Sequence, residues 1–190
     1  KSWKIYYEKE YSQVVKLFTG QYCSIVSCSD KSVKDSHNYD PFNTLLLEIP
    51  DRNEISLYDC FDKFTKVEKI SDFKSDNNEY YREIRIFNLP KYLVIGFKRF
   101  NNGQKINHFI DFPIDTLDLT KYYNGYNKNK FKYKLSAICN HDGGVGGGHY
   151  YAYVNHNNSW YNMNDRSVSE ISVDKIKTKS AYILFYEKLD

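Results

Sequence analysis

His149 closes a run, "GGVGGGHYYAYV" over residues 143–154, in which five of the chain's nine glycines stand directly before it. Glycine loses more backbone freedom on folding than any other residue, so such a cluster weakens the fold unless another backbone must pass close by. An imidazole at this place can move protons near neutral pH, provided a second group fixes its tautomer and orientation. Hairpin arithmetic indicates that group. The stretches "HYYAYV" and "SWYNMN" are joined by "NHNN", a tight-turn composition. A two-residue turn centred on His156-Asn157 pairs Val154 with Ser159, Tyr151 with Asn162 and His149 with Asn164, and opposed Cβ atoms lie about 4.5–5.5 Å apart. Asp165 should then point to the other face unless the backbone kinks at Asn164, and a slip of one residue would exchange the two.

An asparagine can orient the ring by accepting from its Nδ1–H, but it adds no negative charge to hold the imidazolium. That arrangement suits a cysteine nucleophile, because a thiolate itself supplies the countercharge. Competing readings are an ordinary surface or core histidine, a metal site of His141, His149 and His156, and a tyrosine-rich sheet stacking single-stranded nucleic acid. His149 and His156 differ by an odd number and would face opposite ways on one strand. The tyrosines lack the basic groove that nucleic-acid stacking requires. The glycine approach, the opposed amide and the flanking Tyr150 together fit a site where an extended peptide is threaded to a reactive group.

These residues need a scaffold. From Trp3 to Phe18 the pattern is amphipathic, with Ser12 capping "QVVKLF" and Gly20 stopping it. Residues 21–50 alternate and read as two or three strands with a turn near Asp40-Pro41. "SLYDCFDKFTKVEKI" returns to helical spacing, with Leu57, Cys60, Phe61 and Phe64 on one face and Ser56 with Asp59 forming a capping box. After a polar turn, "SDFKSDNNEY", the chain reads as strands: "YREIRIFNLP", "YLVIGFKRF", "KYKLSAICN", "HYYAYV", "WYNMN" and "AYILFYEK", with a short helix in "SVDKIKTKS". The class is mixed, mainly antiparallel β with few helices.

With 190 residues, 41% hydrophobic and 27% charged, the chain can bury one core, and 19 tyrosines suit half-buried sheet faces. The charge of +3, 27 Lys plus Arg against 24 Asp plus Glu, is dispersed, so no nucleic-acid partner is indicated. No apolar run reaches the 18 or so residues of a membrane span, and no signal-peptide pattern opens the chain. Cys23, Cys28, Cys60 and Cys139 are irregularly spaced and read as free thiols of an intracellular protein, cytoplasmic or nuclear. Lys1 in place of a Met suggests a piece of a longer polypeptide.

"YKLSAICNHDGGVGGGHYYAYV", "SWYNMNDRSVSEIS" and "SAYILFYEK", preceded by "LPKYLVIGFKRF", "DFPIDTLDLTKYY" and "VVKLFTGQYCSIV", together resemble the ubiquitin-specific proteases, papain-like cysteine deubiquitinases. The similarity covers nearly the whole chain in family order. It implies an α+β fold: a papain-like palm with an antiparallel sheet over about 91–190, a β fingers subdomain over about 19–90, and a thumb upstream. It implies that His149 is the catalytic histidine, Asn164 the third triad member and Asp165 an adjacent polar aid. Gly147 and Gly148 would border the channel for the Gly-Gly tail of ubiquitin, with Tyr150, Phe100 and His141 as further substrate contacts. The implied partners are ubiquitin, ubiquitinated proteins and the upstream thumb segment.

Two departures from the family pattern matter. The Gly-Asn-Thr-Cys-like nucleophile motif is absent, and none of the four cysteines replaces it; Cys139 and Cys60 read as buried small hydrophobes. Cys28 matches the first cysteine of one zinc-binding pair, but Lys31 stands at the second place and "SDNNEYYREI" has no cysteine. Tetrahedral zinc needs four ligands, so neither a metal nor a cofactor is expected. An inactive ubiquitin-binding module is the alternative function.

Overall fold

The computed structural model describes residues 2–71, 78–126 and 131–189. Most of the polar turn expected at 71–80 therefore lies outside the described residues. In chain order the elements are α1 (Ser2–Lys9), α2 (Gln13–Phe18), β1 (Gly20–Cys28), β2 (Ser36–Phe42), β3 (Leu45–Leu47), α3 (Leu57–Thr65), β4 (Glu68–Ile70) and β5 (Tyr80–Asn88). They continue with β6 (Tyr92–Phe97), β7 (Phe100–Asn101), β8 (Gln104–Lys105), β9 (Leu117–Asp118), β10 (Lys132–Gly144), β11 (Gly147–His156), β12 (Ser159–Asn164), β13 (Ser167–Ile171) and β14 (Ala181–Lys188).

A four-stranded antiparallel sheet runs β2-β1-β5-β4, and an eight-stranded sheet runs β13-β12-β11-β10-β14-β6-β3 with β9 added on β10. Among the described strands the pairings are antiparallel except β3 with β6. The smaller sheet comes entirely from residues 20–88; from the same stretch, β3 joins the larger sheet and α3 touches both, through β3 and β5.

Ser12 accepts from the Val15 N–H and caps α2 as its spacing predicts. The stop differs from expectation: Thr19 ends the helix, and Gly20 already pairs with Phe42 in β1–β2. Asp40-Pro41 is no turn but part of β2, opposite Tyr22 and Gln21. β2 is an edge strand, where a proline without an N–H leaves no ladder bond broken. The real turns flank it, at residues 29–35 and 43–44.

α3 follows its pattern closely. Ser56 and Asp59 close the capping box, and Leu57, Cys60 and Phe61 are buried in the core. Fully burying an apolar side chain of this size contributes about 1.5–3 kcal/mol, and a Phe61→Ala cavity would cost about 3–5 kcal/mol. "SVDKIKTKS" makes only a single 3-10 turn, Val173–Lys175, and residues 167–171 form a strand that the sequence pattern does not announce. No helix among the described residues is long and apolar enough to cross a membrane.

Arg99 lies two residues beyond the end of β6 and is fully buried without a carboxylate partner. Its Nε donates to the Ala181 carbonyl at 2.8 Å, and Nη1 to those of Ile106 at 2.9 Å and His108 at 3.0 Å. Burial pulls the guanidinium down to about 10. Three carbonyls thus stand in for a counterion and fix the start of β14 against the loop after β8.

Candidate active site

The glycine run forms the tip of the β10–β11 hairpin. Gly144 pairs with Gly147, Gly143 with Gly148 and Asp142 with His149, leaving Val145-Gly146 as the turn. Gly143 has φ +112°, and a Cβ there would sit 2.6 Å from the Gly147 carbonyl oxygen. A Cβ on Gly148 would strike the His141 ring and lie 2.6 Å from the Asp142 carbonyl oxygen, whereas Gly147 has open space. Sequence reasoning anticipates the close approach but not its partner: Gly148 is required by the chain's own His141.

The next hairpin corrects the expected register. Asn157 and Asn158, with φ +51° and +65°, make the two-residue turn, and His156 pairs with Ser159 and Tyr153 with Asn162. Two successive positive φ values favour asparagine and match the strand twist. Moving the turn by one residue shifts every partner by two, so each side chain keeps its face. His149 and Asn164 are therefore diagonal rather than opposed, and the imidazole spans the offset: Nε2 to Asn164 Oδ1 is 2.6 Å. An amide oxygen only accepts, so Nε2 carries the proton and donates, leaving Nδ1 with its lone pair. The nitrogen bound to Asn164 is thus Nε2, where Nδ1 was expected.

Asp165 begins the turn into β13 with φ +51°, a conformation aspartate tolerates better than most residues. This kink brings its carboxylate to 4.0 Å from His149 Nε2, too far for a hydrogen bond, with its side chain 78% exposed. The His149 side chain is half exposed, and its ring stacks at 6.3 Å on Tyr151, whose hydroxyl burial pushes up to about 12. The Ser180 hydroxyl donates to Asp142, the cross-strand partner of His149. Neither Tyr151, Ser180 nor Asp142 is singled out by sequence reasoning; the cross-strand pairing of Asp142 with His149 was the available signal.

Alternation puts Gly148 and Tyr150 on the opposite face of β11. There the His141 ring is surrounded by Tyr150 at 4.5 Å, Phe100 at 5.7 Å and Tyr182 at 5.7 Å. Phe100 and Tyr150 are surface residues, but His141 is only 4% exposed. His141, expected as a substrate contact, is thus buried beneath these rings. Burial, with Lys105 nearby, lowers its basicity, and its main-chain carbonyl accepts from Lys105 Nζ.

Cys23, Cys28 and Cys60 are buried, and burial pushes the Cys60 thiol up to about 12. Cys139, expected to be buried, is only half-buried; it pairs with Ala152, on the face that carries Tyr150 rather than His149. Among the described residues no three His, Cys, Asp or Glu side chains gather as a metal site.

The family profile described as "Ubiquitin carboxyl-terminal hydrolase" matches residues 1–186. The chain is 35% identical over 200 residues to ubiquitin carboxyl-terminal hydrolase 2 of Bos taurus, covering 97% of this chain and 33% of that protein. It is 36% identical over 151 residues to ubiquitin carboxyl-terminal hydrolase 8 of Arabidopsis thaliana, covering 73% of this chain and 17% of that one. The SAGA Ubp8/Sgf11/Sus1/Sgf73 DUB module bound to ubiquitin aldehyde superposes with TM-score 0.84 at 30% identity, over 96% of this chain and 44% of its match. A further structure of the module gives 0.83 at 32% identity, over 96% and 42%. The chain thus spans a third or less of these curated relatives and under half of the solved chains.

Proposed function

The chain belongs to the ubiquitin carboxyl-terminal hydrolase family, and from that premise we propose that it carries the general-base half of a thiol-dependent deubiquitinase. One observation supports this most directly: His149 Nε2 is tied to Asn164 at 2.6 Å, which leaves Nδ1 as the proton acceptor. In this reading the nucleophilic cysteine comes from a segment outside residues 1–190, since Cys23, Cys28 and Cys60 are buried and Cys139 lies on the sheet face opposite to His149.

In this reading Nδ1 takes the thiol proton, and the thiolate attacks the carbonyl carbon of ubiquitin's C-terminal glycine. His149 then returns the proton to the leaving amine, and water hydrolyses the acyl-enzyme. Asn164 holds the ring through both transfers. Asp165 adds a weak, water-screened charge. Residues of about 19–90 act as fingers and those of about 91–190 as palm. Phe100 and Tyr150, exposed beside the glycine hairpin, contact the ubiquitin tail.

The test is hydrolysis of a fluorogenic ubiquitin conjugate by the polypeptide that carries this chain with its flanking sequence. Activity should collapse in His149→Ala while ubiquitin binding survives; retained activity would refute the assignment. The burial of Cys23, Cys28 and Cys60 and the opposite-face position of Cys139 favour a second reading, an inactive ubiquitin-binding module. Binding without any hydrolysis by the wild-type polypeptide would select it.

A further inference from the structure

Asp142 and His149 are directly opposed in the β10–β11 ladder. Side chains so related have Cβ atoms about 4.5–5.5 Å apart, within reach of an imidazole–carboxylate bond. An exposed aspartate in that position would be expected to take the ring, above all when it is protonated. It does not. His149 Nε2 goes to Asn164 on the other neighbouring strand, and its 4.0 Å charge partner is Asp165.

The Asp142 carboxylate is instead held by the Ser180 hydroxyl. Ser180 is itself firmly placed. Its carbonyl accepts from the His141 N–H at 2.9 Å, its N–H donates to Thr178 Oγ1 at 3.2 Å, and the carbonyl of the next residue, Ala181, is gripped by buried Arg99 at 2.8 Å.

We propose that Ser180 is a positioning residue that captures the Asp142 carboxylate and keeps it off His149 Nδ1. The inference rests on the function proposed above, in which Nδ1 must accept the thiol proton. A hydrogen bond from Nδ1–H to Asp142 would fill that nitrogen before the thiol arrives. With Nε2 already tied to Asn164, a doubly bonded imidazolium would hold its proton instead of passing it to the leaving amine. The serine solves a problem created by an acidic residue directly across from a catalytic base.

The test is a double-mutant cycle in the polypeptide that carries this chain. Ser180→Ala frees the carboxylate, and kcat for a fluorogenic ubiquitin conjugate should fall about tenfold with KM little changed, the effect of one added hydrogen bond to a charged group. Asp142→Asn in the Ser180→Ala background should restore kcat to the level of Asp142→Asn alone, and Ser180→Thr, which keeps the hydroxyl, should retain activity. Ring nitrogen-15 NMR of His149 reads the same cycle without turnover: Ser180→Ala should move Nδ1 toward the protonated shift, and the second substitution should reverse it. A loss that persists in the double variant, or an unmoved Nδ1 in Ser180→Ala, overturns the proposal. If the wild-type polypeptide hydrolyses no conjugate, the protease reading falls, while the NMR cycle still decides whether Ser180 restrains Asp142.

Discussion

Replacing Asn164 by alanine removes the acceptor that lies 2.6 Å from His149 Nε2 and leaves the rest of the hairpin in place. The ring becomes an imidazolium during the proton transfers, a hydrogen bond to a charged group contributes about 1.5–3 kcal/mol, and about 1.4 kcal/mol is a factor of ten. The His149 side chain is 49% exposed, so water takes over part of the lost bond and the lower end applies. The expected loss in kcat is about tenfold. KM should hardly move, since Asn164 touches the ring and not the substrate. His149→Ala, which deletes the base itself, should lower kcat at least about a hundredfold. Asp165→Ala removes an exposed carboxylate beyond hydrogen-bond distance and should cost less than about threefold. Steady-state hydrolysis of a fluorogenic ubiquitin conjugate ranks the three variants. If Asn164→Ala keeps the wild-type rate, or Asp165→Ala is the more damaged, the orienting role passes to Asp165 and the 2.6 Å contact carries no catalytic meaning.

Gly148→Ala, whose Cβ would strike His141 and the Asp142 carbonyl, should lower the melting temperature by several degrees, about 1–3 kcal/mol of overpacking, while Gly146→Ala, with nothing within 4 Å, should not. Burial alone would raise the Asp59 carboxyl, but bonds from the Ser56 hydroxyl and N–H and the Arg52 guanidinium hold it at about 2. Its stabilisation is therefore complete above pH 4 or so and lost as pH falls toward about 2. Urea titrations should show Asp59→Ala less stable than wild type by about 1–2 kcal/mol at pH 7, with the gap closing below pH 3; a gap independent of pH would contradict the capping argument. Ellman's reagent at pH 8 should leave Cys60 unmodified in the native protein and label it only on unfolding. A chelator should leave the melting curve in place, and a clear drop would reveal a metal-held segment.

The capping box on α3 and the cap on α2 were legible because each depends on side chains within three residues of one another. The turn at Asp40-Pro41 was misread for the opposite reason: whether a proline interrupts a strand depends on its place at the sheet edge, which local sequence does not encode. "SVSEI" was missed as a strand because all but its last residue are exposed, so no alternation marks it. At the site, His149 and Asn164 were paired correctly by face despite the wrong turn, since the period of two forgives a shift of two. The tautomer could not be read in advance, because it depends on which side of the ring β12 lies.

The glycine hairpin shows how far a site can be set by what lies beneath it. Gly148 allows the His141 ring to sit under the strand, and Tyr150, Phe100 and Tyr182 close around that ring. Lys105 and Ser180 grip the main chain of His141 from either side. The residue after His141 is Asp142 and the residue after Gly148 is His149, so both members of the opposed pair hang from one anchored step of the ladder. A glycine substitution here acts first through that anchor, by forcing the two strands apart and lengthening the reach from Nε2 to Asn164. A narrowed substrate channel would raise KM and spare stability; a displaced anchor lowers kcat and the melting temperature together. The joint measurement on Gly148→Ala distinguishes the two, and the geometry requires the second result.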